Sequence, residues 1–205
     1  MIILGAGGHG REVAHVLRSR HAAGLPTPRL VGFLDDADVD PALLAPFAPR
    51  VGTVAEGMAA HPQAAVIGGV SDGRIRSQLV GRRTAAAPLI HPMADVGPDV
   101  VLGGGTVVCS HANLTTHITV GAHVHISRGA AIGHDAVLED YVSIMPLAAV
   151  SGNVRLGARV FVGTGAVIRQ GVTVGDDAVI GMGAVVLRDV PAGVTVVGAP
   201  ARALG

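Results

Sequence analysis

Tryptophan is absent from this 205-residue chain, tyrosine occurs once and phenylalanine three times. A groove that stacks nucleic-acid bases needs aromatic faces, so that function class is set aside. An excess of charge is also lacking: 15 basic residues meet 15 acidic ones, leaving no net field to draw in a polyanion. The single cysteine, Cys109, excludes an internal disulfide and fits a reducing compartment. No apolar run approaches the roughly 20 residues of a membrane span. Met1 to Leu4 is apolar, but Gly5 interrupts it and no basic segment precedes it, so no signal peptide is expected. These absences predict a cytoplasmic protein with neither a membrane nor a nucleic-acid partner.

What is abundant is glycine and small aliphatics, and they repeat. Counting in sixes from Ile90 to Val186 meets seventeen positions, and each holds Ile, Leu or Val. In a chain that is 49% apolar, such a run would arise by chance in roughly one register in 10^5. The fourth residue after each is also restricted to small or β-branched types, as at Ala94, Thr106, Ala130, Val142, Ala166 and Val190. Gly often follows the aliphatic position directly, as at Gly97, Gly133 and Gly163. This is the hexapeptide repeat of a parallel β-helix, in which three hexads close a triangular coil of about 18 residues. The aliphatic side chain points into a narrow prism where an aromatic ring would not fit. An antiparallel sandwich has period two and gives no reason to hold a phase of six for a hundred residues.

Residues 1–88 lack the repeat. A short strand, Met1 to Leu4, runs into Gly5-Ala6-Gly7-Gly8-His9-Gly10, and a helical pattern follows at Val13, Val16 and Leu17. Leu30 to Leu34 reads as a second strand ending in Asp35-Asp36, and Ala64 to Ile67 as a third ending at Gly68-Gly69. Residues 72–83 read as a helix. The first turn matches G-x-G-x-x-G between strand and helix, with an acidic pair about 25 residues on. Such a turn lets a phosphate approach the backbone at a helix N-terminus, although a tight structural turn needs the same glycines. The segment has room for little more than half a dinucleotide fold, so a mononucleotide or nucleotide-sugar is favoured over NAD. The predicted division is an α/β Rossmann-like domain, 1–88, followed by an all-β left-handed parallel β-helix, 89–205.

Ten histidines are present. His111, His117 and His123 recur at one place in successive hexads, which invites a metal reading. Successive hexads lie on different walls, however, so the three point apart in one chain, and turn positions facing solvent or a subunit contact explain them. His134-Asp135 differs: a carboxylate beside an imidazole fixes its tautomer and raises the basicity of the far nitrogen.

Taken together, Gly5-Ala6-Gly7-Gly8-His9-Gly10, Phe33-Leu34-Asp35-Asp36, Val66-Ile67-Gly68, Leu89-Ile90-His91, Ile132-Gly133-His134-Asp135, Ser151-Gly152-Asn153 and Gly198-Ala199-Pro200-Ala201 resemble one family over nearly the whole chain. It is the sialic acid O-acetyltransferase and nucleotide-linked amino-sugar N-acetyltransferase family. The resemblance implies a homotrimer with its active site in the groove between adjacent β-helices, acetyl-CoA as co-substrate and no metal. It implies that His134 is the general base and that Asp135 tunes it. Acetyl-CoA would lie along Gly152, Thr164 and Met182, and the nucleotide would meet Gly7, Gly8, His9, Asp35, Asp36 and Gly68. Many members carry a second histidine nine residues after the base, at the acetyl-CoA end of the site, where this chain has Ser143. Stacking by 18 residues puts His125 one coil from Ser143, so His125 is the candidate to supply that imidazole.

The leading expectation is N-acetylation of a nucleotide-linked amino sugar, such as a 4-amino-4,6-dideoxyhexose. O-acetylation of a sialic acid or related sugar needs the same base and is the alternative. A carbonic anhydrase built on this repeat would leave the front domain without a purpose. A nucleotide-sensing or scaffolding trimer without catalysis is the non-enzymatic reading, and Ser143 is what keeps it open.

Overall fold

The computed structural model describes residues 1–204. In the front unit, β1 (Ile2–Leu4) lies between β2 (Gly32–Leu34) and β3 (Val66–Gly68) in a parallel sheet of order β2-β1-β3. All nine strand residues are buried, as expected of a parallel sheet covered on both faces. Helix α1 (Gly8–Ala22) buries Val13, Ala14, Val16 and Leu17, the i, i+3, i+4 stripe that makes a helix amphipathic. Two short helices absent from the sequence reading, α2 (Pro41–Leu44) and α3 (Val54–Ala60), fill the crossover between β2 and β3. Their starts are set by local chemistry: Asp40 caps α2, and Thr53 with Glu56 forms a reciprocal capping box on α3. Helix α4 (Gly73–Val80) is capped by Asp72.

From Leu89 the chain winds into a parallel β-solenoid of about six coils with three walls. The first wall begins at Leu89–Ile90 and runs to Val179–Ile180, ending in the strand Thr195–Val197 and its antiparallel partner Arg202–Ala203. The second wall runs from Asp95–Val96 to Val185–Val186, and the third from Val101–Leu102 to Thr173–Val174. Within each wall the register is 18 residues, as in His125 with Ser143 and Ile126 with Ile144. The aliphatic position is buried at every hexad from Val108 to Val186. Ile90, Val96 and Leu102 are only half-buried, because no coil lies beyond the first.

Each turn between walls needs one left-handed residue. Fourteen consecutive hexads, from Gly105 to Gly183, place a positive φ at the third residue after the aliphatic one. His111, His117 and His123 occupy three of these positions, with φ of 58°, 52° and 54°. They stand on the three different edges of the prism, which explains their spacing by backbone geometry. No group of three His, Cys, Asp or Glu among the described residues is arranged to hold a metal ion.

The front unit covers the outer face of the first wall. Leu89 and Val107 belong to the same apolar cluster as Ile3, Val13, Val16 and Leu17, so the two units share a core. Polar ties reinforce it: Arg20 donates to the Ile90 carbonyl at 2.8 Å, Arg128 pairs with Glu12 at 2.8 Å, and Arg74 with Asp177 at 2.9 Å. No helix among the described residues is long and apolar enough to cross a membrane.

Candidate active site

His134 stands on the edge between the second and third walls. Nδ1 of its ring lies 2.7 Å from Oδ2 of Asp135, and both side chains are half-exposed. A carboxylate only accepts, so Nδ1 carries the hydrogen, and in the neutral ring Nε2 is the nitrogen left with a lone pair. Asp135 can sit directly beside the imidazole because it takes the left-handed turn position, φ 60°, which Asp tolerates better than most residues. Its backbone N–H donates to the Thr116 carbonyl and that of Asn153 to the His134 carbonyl, so the neighbouring coils hold the turn on both sides. Gly152 is buried beneath the ring; a Cβ there would come within 2.6 Å of Cε1 and Nε2. These three sequence-predicted residues are therefore brought together.

Thr164 and Met182 stack one above the other on the opposite edge of the second wall, and Met182 is 81% exposed. Between the two edges the outward face of the second wall offers small or apolar residues at Ala131, Ala149, Val167 and Val185. Ser143 and His125 do not join His134. Both lie on the first wall, under the chain's own front unit, and are 1% and 3% exposed. Ser143 Oγ accepts from Arg76 Nη2 at 3.0 Å and donates to the Ser71 carbonyl at 2.5 Å. Neither side chain is open to a thioester on the surface of this chain.

The nucleotide candidates gather at the C-terminal ends of β1, β2 and β3. Gly7 and Gly8 are exposed, and a Cβ on Gly7 would meet nothing within 4 Å. Packing therefore does not demand these two glycines, whereas Gly10 is demanded, since a Cβ there would collide with the Gly5 carbonyl at 2.0 Å. Helix α1 starts at this turn with no side-chain cap and no acidic residue in its first turn, which leaves its N-terminal field to an incoming anion. Asp35 ties the two loops together: Oδ2 accepts from Ala6 N at 2.7 Å and Oδ1 from Ala37 N at 2.9 Å, and each oxygen keeps a further acceptor site. Asp36 Oδ1 accepts from Val54 N at 2.9 Å. Gly68 makes room for Arg76, whose Cγ would stand 2.4 Å from a Cβ there.

His9 is half-buried against the first wall, where its Nε2 shares a hydrogen bond with Nδ1 of His125 and the two rings stack with centroids 4.5 Å apart. Burial pulls His9 down to about 4, with Arg76 pushing the same way and Glu12 opposing. Burial likewise holds His125 well below its usual value, and Arg76, His9 and His123 add to the effect. Both imidazoles are neutral at pH 7. Arg76, fully buried, was not singled out by sequence. It donates to the carbonyls of Val70, Ser71, His123, Tyr141 and Val142 as well as to Ser143. Nothing in Gly73-Arg74-Ile75-Arg76 distinguishes it from exposed Arg74 except that it falls on the opposite face of α4.

Two family models match the chain: the PglD N-terminal domain over residues 1–82 and the bacterial transferase hexapeptide over residues 153–188. The acetyltransferase domain of PglB from Neisseria gonorrhoeae, solved with acetyl coenzyme A, is 34% identical and superposes with a TM-score of 0.87 over 99% of this chain and 98% of that one. PerB from Caulobacter crescentus, solved with CoA and GDP-perosamine, is 31% identical with a TM-score of 0.82, over 100% of this chain and 96% of the other. GDP-perosamine N-acetyltransferase of Escherichia coli O157:H7 is 28% identical across 98% of this chain and 94% of its own length. Similarity that runs through the glycine turn, the docked front unit and the coils alike makes this chain a member of the nucleotide-linked amino-sugar N-acetyltransferase family, hexapeptide-repeat enzymes that draw on acetyl-CoA.

Proposed function

We propose that the chain moves the acetyl group of acetyl-CoA to the amine of a nucleotide-linked amino sugar, with a 4-amino-4,6-dideoxyhexose as the model acceptor and His134 as general base. The observation that carries this reading is the His134–Asp135 pair, whose 2.7 Å contact holds Nδ1 on the carboxylate and leaves Nε2 as the nitrogen able to act on the acceptor. Nε2 takes a proton from the amine as nitrogen attacks the thioester carbonyl. The C–N bond forms, the C–S bond breaks, and the CoA sulfur leaves with a proton returned from His134. Asp135 stabilises the imidazolium in between. Gly152, Thr164 and Met182 would bear on acetyl-CoA, and Gly7, Gly8, His9, Asp35, Asp36 and Gly68 would form the nucleotide end.

A homotrimer makes these parts one site. His134 is on one edge of the second wall, while Thr164 and Met182 are on the other. With the second walls of three copies turned toward a threefold axis, the His134 edge of one copy meets the Thr164 edge of the next. The front unit of that next copy sits on the adjoining wall. The small residues at Ala131, Ala149, Val167 and Val185 suit such close approach. We place this activity in the cytoplasm, where Cys109 stays reduced; burial pushes its thiol up to about 12.

The test is CoA release, followed with a thiol reagent, from acetyl-CoA and a panel of nucleotide-linked 4-amino sugars beside free sialic acid. Turnover on an amino-sugar nucleotide that His134→Ala abolishes is the expected result. Turnover on sialic acid alone would move the assignment to O-acetylation, and silence across the panel would overturn it in favour of a sensing or scaffolding trimer. Sedimentation at a monomer mass would overturn the shared site.

A further inference from the structure

The outward residues of the first wall form a single column 18 residues apart: Leu89, Val107, His125, Ser143, Phe161 and Val179. The first four are buried beneath the front unit. Leu89 and Val107 belong to the apolar cluster shared with α1, and an apolar third rung would extend it without desolvating a polar group. The third rung is an imidazole instead. Ser143 has its explanation in Arg76 and the Ser71 carbonyl. His125 has one side-chain partner, His9; its Nε2 makes no well-formed hydrogen bond, although the Gly68 backbone at the end of β3 lies close enough to act on the ring.

What His125 secures is the ring of His9, and His9 follows directly on Gly7 and Gly8, the two glycines whose freedom packing does not require. The other side of the same ring is also held. Nδ1 of His9 faces Glu12 at 3.6 Å, and Glu12 is gripped by Arg128 at 2.8 Å. Two β-helix side chains, His125 directly and Arg128 through Glu12, thus grip one residue of the glycine turn. A pair of neutral imidazoles suits this: each ring offers one donor and one acceptor, so the contact forms without repulsion.

We propose that His125 is a positioning residue for nucleotide binding: through Nδ1 it fixes the His9 ring, and with it the Gly7-Gly8-His9 turn, onto the β-helix. This rests on the reading that the turn receives the phosphates of a nucleoside diphosphate. It moves His125 from the thioester end of the reaction to the nucleotide end.

The test is calorimetric titration of the full-length protein with GDP, and separately with acetyl-CoA, for His125→Val and His125→Asn. Valine continues the apolar column of Leu89 and Val107 and preserves the fold; asparagine keeps a polar group close to where Nδ1 stands. His125→Val is expected to bind GDP roughly five- to tenfold more weakly, the worth of about one hydrogen bond. Its acetyl-CoA affinity should stay within about twofold, since nothing in the column faces the thioester, and His125→Asn should recover most of the GDP affinity. GDP affinity unchanged in His125→Val would overturn the proposal. A selective loss of acetyl-CoA affinity would overturn it too and return His125 to the thioester. Equal weakening in both variants, tracking a fall in melting temperature, would make the effect structural and overturn it as well. If the unaltered protein turns over acetyl-CoA but binds neither GDP nor UDP, the nucleotide reading itself fails, and the proposal with it.

Discussion

The imidazole of His134 rests on the α-carbon of Gly152, one coil away, so closely that a methyl group there would come within 2.6 Å of Nε2. Gly152 is not among the residues with positive φ, so alanine suits its backbone, and the atoms nearest to an added methyl all belong to the ring. Gly152→Ala is expected to displace the ring and break its bond to Asp135, lowering kcat at least tenfold, which corresponds to about 1.4 kcal/mol of barrier. The coils should stay folded. Steady-state rates beside a melting curve check this, and unchanged kcat would mean that the ring does not act from this position.

Arg76 is a buried cation whose partners are carbonyls and a hydroxyl from both units. Removing its head group leaves several acceptors unmatched at the junction. Arg76→Met should therefore lower stability by about 2–4 kcal/mol, and Arg76→Lys should recover only part, because an ammonium cannot reach both sides of the planar fork. Urea unfolding measures both variants.

Stability should fall on mild acidification. His9 is held to about 4 and His125 well below its usual value, both chiefly by burial, while in the unfolded chain both titrate near 6.5. As pH drops below about 6.5 the unfolded state takes up protons that the folded state refuses, so the loss runs from there down to about 4. Each histidine contributes at most about 1.4 kcal/mol per pH unit. The groups facing the pair, Glu12 on α1, Arg76 on α4 and His123 on the coils, set its size. Urea midpoints at pH 7, 6 and 5 should decline, and His9→Asn with His125→Asn should flatten the decline.

Leu147 holds a left-handed turn position, φ 61°, and is 68% exposed. It gains little burial there and meets the steric penalty of an L-residue at positive φ, about 1 kcal/mol. Leu147→Asn should stabilise the protein by about 0.5–1 kcal/mol, read as a higher melting temperature.

The coils were legible because they are a local code. Every hexad from Val108 to Val186 carries its own inward aliphatic and its own turn, so the period alone specifies the walls and their register. The His134–Asp135 contact was legible for the same reason, since adjacent residues at a turn meet without help from the rest of the chain. In the front unit, strands and helices fell within two or three residues of where they were read, while the short helices α2 and α3 carried too little periodicity to stand out.

Contacts that join distant segments were decided by tertiary structure. No spacing rule brings His9 to His125, 116 residues away, or selects Arg76 over Arg74 as the residue that goes inside. Those outcomes depend on which wall the front unit covers. The amino-acid sequence by itself determined a solenoid with a glycine turn in front of it, because repeat and turn geometry are written within a few residues. Only the docking of one unit on the other decided that His125 and Ser143 face the glycine turn and α4, since burial under a neighbouring surface is a property of no single segment.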